Sequence, residues 1–346
     1  MIQAEIIQSR RLKQFVLRKP SNGGIPVFFI HGNASHSKIW EHFFTLFDDG
    51  FDLYAPDLRG FGQTEDLPIN ATLGVGDWVD DIIALADYYK LDTFNLIGHS
   101  LGGMVCFGLL AKCAHRIQSI AFLAPGSPYG YGGTKGKDGD PTCKDFSGSG
   151  AGLINPILLN FIIQNDLFAD HPSSPANVIK RLYFSPDFKP SSTLIRELTE
   201  AMTLIKLGKN RYPGDAVDSP NWPYNAPGKW GPTNAISPKW NQNLTYDCLN
   251  VNPKPNLLWV HGTDDLLVSN NAVSDPGTLG ALGFIPNWPG NDVYPPQPML
   301  DQLHYFFESY SKNGGNVSQK ELPKTGHCPH IEKPNEVFNT LLNFWE

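Results

Sequence analysis

Residues 94–103 narrow the folds open to this chain more than any other stretch. Phe94, Leu96 and Ile97 form an apolar, strand-like run that feeds directly into Gly98-His99-Ser100-Leu101-Gly102. A helix pattern follows from Leu101 to His115, so a G-x-S-x-G motif lies between a strand and a helix and puts its serine on a sharp turn. A serine hydroxyl is a poor nucleophile at neutral pH. A strained, exposed position, a neighbouring base and donors for the oxyanion supply what it lacks. Gly98 and Gly102 leave no Cβ to collide where the backbone doubles back, and the helix opening at Leu101 aims its first amides at developing negative charge. Stripped of that context, the same motif is only a serine capping a helix.

The surrounding chain alternates strand and helix. Ile6-Ile7 and Phe15-Val16-Leu17 read as a pair of antiparallel edge strands. Ile25 to Ile30 is a continuous apolar run, as in a strand buried on both faces, and it ends in His31-Gly32-Asn33-Ala34. Lys38 to Phe47 has helical spacing. Phe51 to Leu58 is the next strand, followed by the turn Arg59-Gly60-Phe61-Gly62. Asp77 to Lys90 is a helix with Asp77 as a plausible N-cap. Ile117 to Leu123, Asn256 to Gly262 and Val317 to Leu322 are further strands, with helices at Met299–Tyr310 and Pro334–Trp345. This pattern predicts an α/β, mostly parallel, doubly wound sheet with right-handed crossovers. Ligands in such sheets sit at the carboxyl ends of the strands, so the loops after Ile30, Ser100 and the later strand at Trp259 should meet.

The alternation breaks between 126 and 254. Glycine-rich stretches lead into helical segments near 155–166 and 191–206, then into a segment dense in Pro, Gly, Trp and Asn. A loop of that length without structure is improbable in a compact domain, and Tyr183, Phe184, Phe188, Trp222, Tyr224, Trp230 and Trp240 imply packing rather than a disordered linker. The expected organisation is a core of residues 1–125 and 255–346, with 126–254 inserted as a cap over the site; a second, smaller insertion runs from Asn270 to Pro298.

Composition removes some function classes. The 346 residues carry 27 Lys and Arg against 34 Asp and Glu, a net charge of −7 without a basic block, which argues against nucleic acid or an anionic membrane as partner. No apolar run is long enough to span a bilayer, and Met1-Ile2-Gln3-Ala4-Glu5 lacks a basic-then-apolar leader, so a cytoplasmic location is expected. The five cysteines are scattered and expected reduced. Sequons at Asn33, Asn70, Asn243 and Asn316 read as coincidental without a leader.

Together these residues resemble the α/β-hydrolase fold superfamily, in particular its serine esterase and lipase-like members with a large cap. The resemblance covers roughly 20–125 and 255–346. That family carries its triad in the chain order Ser, Asp or Glu, His, which implies Ser100 as nucleophile, an aspartate after Gly262 and His327 as base. The family places the acid third after that glycine, implying Asp265. Its neighbour Asp264 stays open, because adjacent residues in a tight turn point in different directions. The resemblance further implies an oxyanion hole from the Leu101 and Asn33 amides. His330 competes with His327 but lacks the preceding glycine turn. A metal site from His327, Cys328 and His330 lacks further ligands.

His31, His99, Asp57 and Arg59 read as structural or turn-fixing. Asn33 and Trp40 also resemble the haloalkane dehalogenases, but those use an aspartate nucleophile where this chain has Ser100, and the same departure counts against epoxide hydrolysis. Leu101 departs from the tryptophan usual in proline aminopeptidases. The expectation is a hydrolase of carboxylic esters or lactones acting on a small-molecule substrate without metal or organic cofactor. Trp40, Phe61 and Tyr129 are expected to line the substrate pocket. Carbon–carbon bond hydrolysis, amide hydrolysis and perhydrolysis by the same triad remain open, as does a slow-turnover small-molecule receptor.

Overall fold

The computed structural model describes all 346 residues. Eight strands form one sheet: β1 (Gln3–Gln8), β2 (Lys13–Lys19), β3 (Ile25–Ile30), β4 (Phe51–Pro56), β5 (Phe94–His99), β6 (Ile117–Leu123), β7 (Asn256–Gly262) and β8 (Val317–Leu322). Their order across the sheet is β1-β2-β4-β3-β5-β6-β7-β8. The first two strands pair antiparallel, β2 runs antiparallel to β4, and every other pairing is parallel. The sheet is thus the mostly parallel one that the alternation predicts.

The strand periodicity divides the core. Phe28, Ile30, Leu96 and Trp259 face a cluster shared with the covering helices α2 (Gly76–Tyr88), α3 (Leu101–Cys113) and a later helix at Met299–Lys312. Val27, Phe29, Ile97, Leu258 and Val260 face the other side, covered by α1 (Glu41–Phe44) with the short 3-10 turn before it, and by the C-terminal helix Pro334–Trp345. Burying a side chain of this kind is worth roughly 1.5–3 kcal/mol, so continuous apolar strands covered on both faces make the sheet the most strongly specified part of the chain.

Between β6 and β7 the chain leaves the sheet for helices α4 (Pro156–Ile163), α5 (Pro175–Leu182) and α6 (Ser192–Ala201), two small hairpins and irregular loops. It is packed: Ile162, Ile179, Phe184, Ile195, Leu198 and Met202 join the same buried cluster as α2 and α3. The last helix of this excursion, α7 (Leu244–Leu249), packs directly on α3, with Cys248 Sγ near the Phe107 carbonyl at 3.1 Å.

Local expectations differ from the structure at several points. The helix expected over 38–47 is a 3-10 turn, Ser37–Trp40, running into a single α turn. Asp77 lies one residue inside α2, whose N-cap is Val75; its carboxylate is drawn off to Arg11 and the Asn70 amide. The short helix α5 went unanticipated, because eight residues opening on a proline carry too little periodicity to stand out.

Candidate active site

The elbow follows from backbone geometry. Ser100 has φ 55° and ψ −117°, a conformation that L residues adopt only when their surroundings enforce it, at a cost of about 1–3 kcal/mol. The enforcement is visible. The Ser100 N–H donates to the Leu123 carbonyl at the end of β6, and its carbonyl accepts from Gly103 and Gly126. A Cβ at Gly98 would lie 2.5 Å from Cys106 Sγ, and one at Gly102 would lie 2.2 Å from the Ile30 carbonyl oxygen, so α3 closes on β3 and β5 only with glycine at both positions.

Four strand ends deliver the site. After β7, Asp265 is buried and accepts from Leu267 and Val268 N–H with Oδ1 at 2.8 and 2.9 Å, while Oδ2 lies 2.9 Å from His327 Nδ1. Asp264 turns outward and accepts from Thr263 Oγ1. The structure therefore brings Asp265, and not Asp264, to His327, which is itself buried after β8. The Ser100 hydroxyl forms no hydrogen bond to His327 or to any other protein group.

His99 ties the serine turn to the histidine loop. Its Nε2–H donates to the His327 carbonyl at 2.8 Å, and the two rings lie 4.8 Å apart. Burial holds His99 well below its ordinary pKa, with His330 and His327 adding to the effect, and burial pushes His330 down to about 3. Burial thus disfavours a positive charge on either ring beside His327. His330 is buried against Trp40 at 4.4 Å between ring centres. His31 accepts from Leu58 N–H with Nε2 and donates from Nδ1 to the Gly32 carbonyl, a neutral tautomer that braces the turn after β3. Asp57 does the same for the next loop, accepting from Ser37 and Gln63 N–H, while Arg59 forms a buried two-pronged pair with Asp81 at 2.8 Å on both prongs.

Opposite the elbow, the Asn33 N–H forms no hydrogen bond to the protein. The Leu101 N–H, first in α3, has no intrahelical partner. The Asn33 side chain reaches Tyr212 Oη at 3.4 Å. Tyr183 lies 6.3 Å from the His327 ring between centroids, and its carbonyl accepts the Cys328 N–H. Burial raises both tyrosines' pKa, that of Tyr212 to about 12, and Tyr212 Oη accepts from the Asn33 side-chain amide.

The expected pocket residues need correction. Trp40 and Phe61 are both 0% exposed, with no surface open to a ligand. Trp40 packs in the core among Phe29, Phe43 and His330, and Phe61 backs the site between His31 and Tyr212. Tyr129 turns to the insertion's own hairpin, its ring on Gly139 and its hydroxyl toward Thr245. The aromatic residues that do meet the site, Tyr183 and Tyr212, come from the irregular insertion. Their aromatic character was the only signal available, and it could not give their direction.

Comparison with known proteins follows the same lines. The family model described as alpha/beta hydrolase fold matches residues 25–136. A probable lysophospholipase of Arabidopsis thaliana, BODYGUARD 4, is 30% identical over 129 residues, 36% of this chain and 29% of that protein. The 2-hydroxy-6-oxo-2,4-heptadienoate hydrolase of Pseudomonas putida is 28% identical over 103 residues, 29% of this chain and 37% of that one. The chain thus spans about a third of the length of these curated relatives. Among solved structures, the enol-lactonase of Burkholderia xenovorans superposes with a TM-score of 0.61 at 12% identity, covering 99% of both chains. A carboxylesterase of Bacillus subtilis gives 0.59 at 13% identity, over 100% of this chain and 92% of that one. No helix is long and apolar enough to cross a membrane. With its sheet order, its strand-to-helix serine turn and these structural likenesses, the chain has the α/β-hydrolase fold, and residues 25–136 match that family's model.

Proposed function

We propose that the chain is a serine hydrolase that cleaves a carboxylic ester or lactone through an acyl-enzyme on Ser100. Ser100 Oγ attacks the substrate carbonyl as His327 Nε2 takes its proton, and the oxyanion is held by the Asn33 and Leu101 N–H groups. Collapse of the tetrahedral intermediate breaks the bond to the alcohol oxygen, which leaves with the proton from His327. Water, activated by the same imidazole, then attacks the acyl-enzyme and releases the acid. Asp265 keeps the proton on Nδ1 and stabilises the imidazolium, while the insertion forms a cap whose Tyr183 and Tyr212 face the substrate. This roof of apolar rings with a few hydroxyls suits a largely apolar ligand with polar handles.

The observation that carries this reading is the 2.9 Å contact between His327 Nδ1 and Asp265 Oδ2, because two backbone N–H groups on Oδ1 fix that carboxylate in place. Carbon–carbon bond hydrolysis by the same groups is the second reading, supported by likeness to the heptadienoate hydrolase and to the 2-hydroxymuconate semialdehyde hydrolase of a Pseudomonas species, 26% identical over 106 residues. A turnover screen of ester, lactone, amide and vinylogous diketone substrates on wild type and Ser100→Ala decides between them. Multiple turnovers lost in Ser100→Ala, with fold retained, support a serine hydrolase, and the preferred substrate class selects the reaction. Turnover that survives Ser100→Ala removes the nucleophile and the reading with it.

A further inference from the structure

Glu332 stands outside this chemistry, five residues beyond His327, at the end of the one-turn helix Pro329–Glu332. Its two carboxylate oxygens go to different parts of the chain. Oε1 accepts the Gly326 N–H at 2.7 Å, and Oε2 accepts the Ser185 N–H at 3.0 Å. Gly326 immediately precedes His327, whereas Ser185 belongs to the insertion, just past α5. The two loops also touch directly. The Cys328 N–H donates to the Tyr183 carbonyl at 3.2 Å, and a Cβ on Gly326 would lie 2.6 Å from the Phe184 carbonyl carbon. Both chain neighbours of His327 are thus bound, directly or through one carboxylate, to residues 183–185. Hydrogen bonds to an ionised acceptor are about twice as strong as neutral ones, so Glu332 is a firm link between the two loops.

We propose that Glu332 is a positioning residue that couples the insertion to the loop bearing His327, so that seating residues 183–185 over the elbow and aligning the imidazole on Ser100 are one event. The inference rests on His327 being the base. Its consequence is that displacing residues 183–185 pulls on Gly326 and Cys328, carrying the imidazole off line. Misplacement by about 1 Å costs on the order of 10²-fold in rate. Hydrolysis is then confined to the state in which the insertion is closed.

The test uses the full chain with Glu332→Gln, which keeps the shape but has one acceptor oxygen for two N–H groups, and Glu332→Asp, which is one methylene too short to reach both loops. Amide hydrogen exchange is followed at Gly326 and Ser185. In parallel, kcat and KM are measured on a p-nitrophenyl ester and normalised to sites titrated with a fluorophosphonate. The expected result is faster exchange at both amides together and a kcat lowered by about 10²-fold with KM changed by less than about threefold. Unchanged kcat per titrated site, or exchange that accelerates at Gly326 while Ser185 stays protected, overturns the coupling. Should Glu332→Gln fail to fold, Glu332→Asp carries the same readouts. If Ser100→Ala retains turnover, the assignment of the base falls on that result, while the exchange data still decide whether Glu332 joins the two loops.

Discussion

Replacing Asp265 with asparagine tests the site at its most determined point. Oδ1 of Asp265 receives two backbone N–H groups, from Leu267 and Val268 at 2.8 and 2.9 Å, and Oδ2 faces His327 Nδ1 at 2.9 Å. An asparagine has one acceptor oxygen. Turning its NH2 toward Leu267 and Val268 would oppose donors to two donors, so the oxygen stays there and the NH2 faces His327. The imidazole must then accept at Nδ1 and carry its proton on Nε2, the nitrogen that takes the proton from Ser100 in the proposed mechanism. The substitution keeps size, burial and both backbone hydrogen bonds while imposing the unproductive tautomer. A loss of this kind is worth about 10⁴-fold in kcat, or about 5.5 kcal/mol of transition-state stabilisation. Steady-state kinetics on a chromogenic ester, with the folded fraction checked by circular dichroism, measures it. Asp264→Asn is the matched control, because the only side chain hydrogen-bonded to the Asp264 carboxylate is Thr263, through Oγ1, and the variant should lose less than about threefold. The reasoning fails if Asp265→Asn retains a tenth or more of wild-type kcat, or if Asp264→Asn loses as much.

Three further outcomes are expected. A fluorophosphonate should label Ser100 in the intact protein, with the modified peptide identified by mass spectrometry; modification at another serine would dissociate the elbow from nucleophilicity. Trp40→Ala should cost about 3–5 kcal/mol in urea unfolding while leaving the ranking of substrates unchanged, since the indole is core packing; a shift in ranking without loss of stability would return Trp40 to the pocket. Asp275 is buried, with Oδ2 accepting from Thr278 and Gln297 N–H and Oδ1 unpartnered, and burial raises its pKa from 3.8 to about 6. The folded state therefore holds this proton more tightly than the unfolded one, and stability falls as pH rises from about 4 to about 6 and is flat above. At 1.36 kcal/mol per pH unit the gap is worth about 3 kcal/mol, so Asp275→Asn should gain about that much on wild type between pH 4 and 7, and parallel stability profiles would refute it.

The sheet was legible because burial on both faces writes itself into the sequence. Runs such as Ile25–Ile30 and Asn256–Gly262 need no knowledge of their neighbours to be recognised as strands, and the structure places each where the alternation put it. The serine turn was legible for a related reason: Gly98 and Gly102 are required by contacts with Cys106 and Ile30 that any chain making this turn must avoid. The insertion resisted. Its loops have no period of 2 or 3.6, and the directions of Tyr183 and Tyr212 depend on partners more than 50 residues away in the chain. Trp40 lies in the core and not in the pocket, because its likeness to the haloalkane dehalogenases does not say on which side of the sheet the ring falls.

By itself, then, the sequence determined the parallel sheet, the chain order of serine, aspartate and histidine, and the turn that strains Ser100, since local patterning and the sterics of glycine act over a few residues. Tertiary structure alone decided that Asp265 rather than Asp264 faces His327, that His99 and Glu332 brace the histidine loop from two sides, and that Tyr183 and Tyr212 lie beside His327 and Asn33. Those choices are made by hydrogen bonds and close contacts between segments up to 228 residues apart, and no local pattern carries that information.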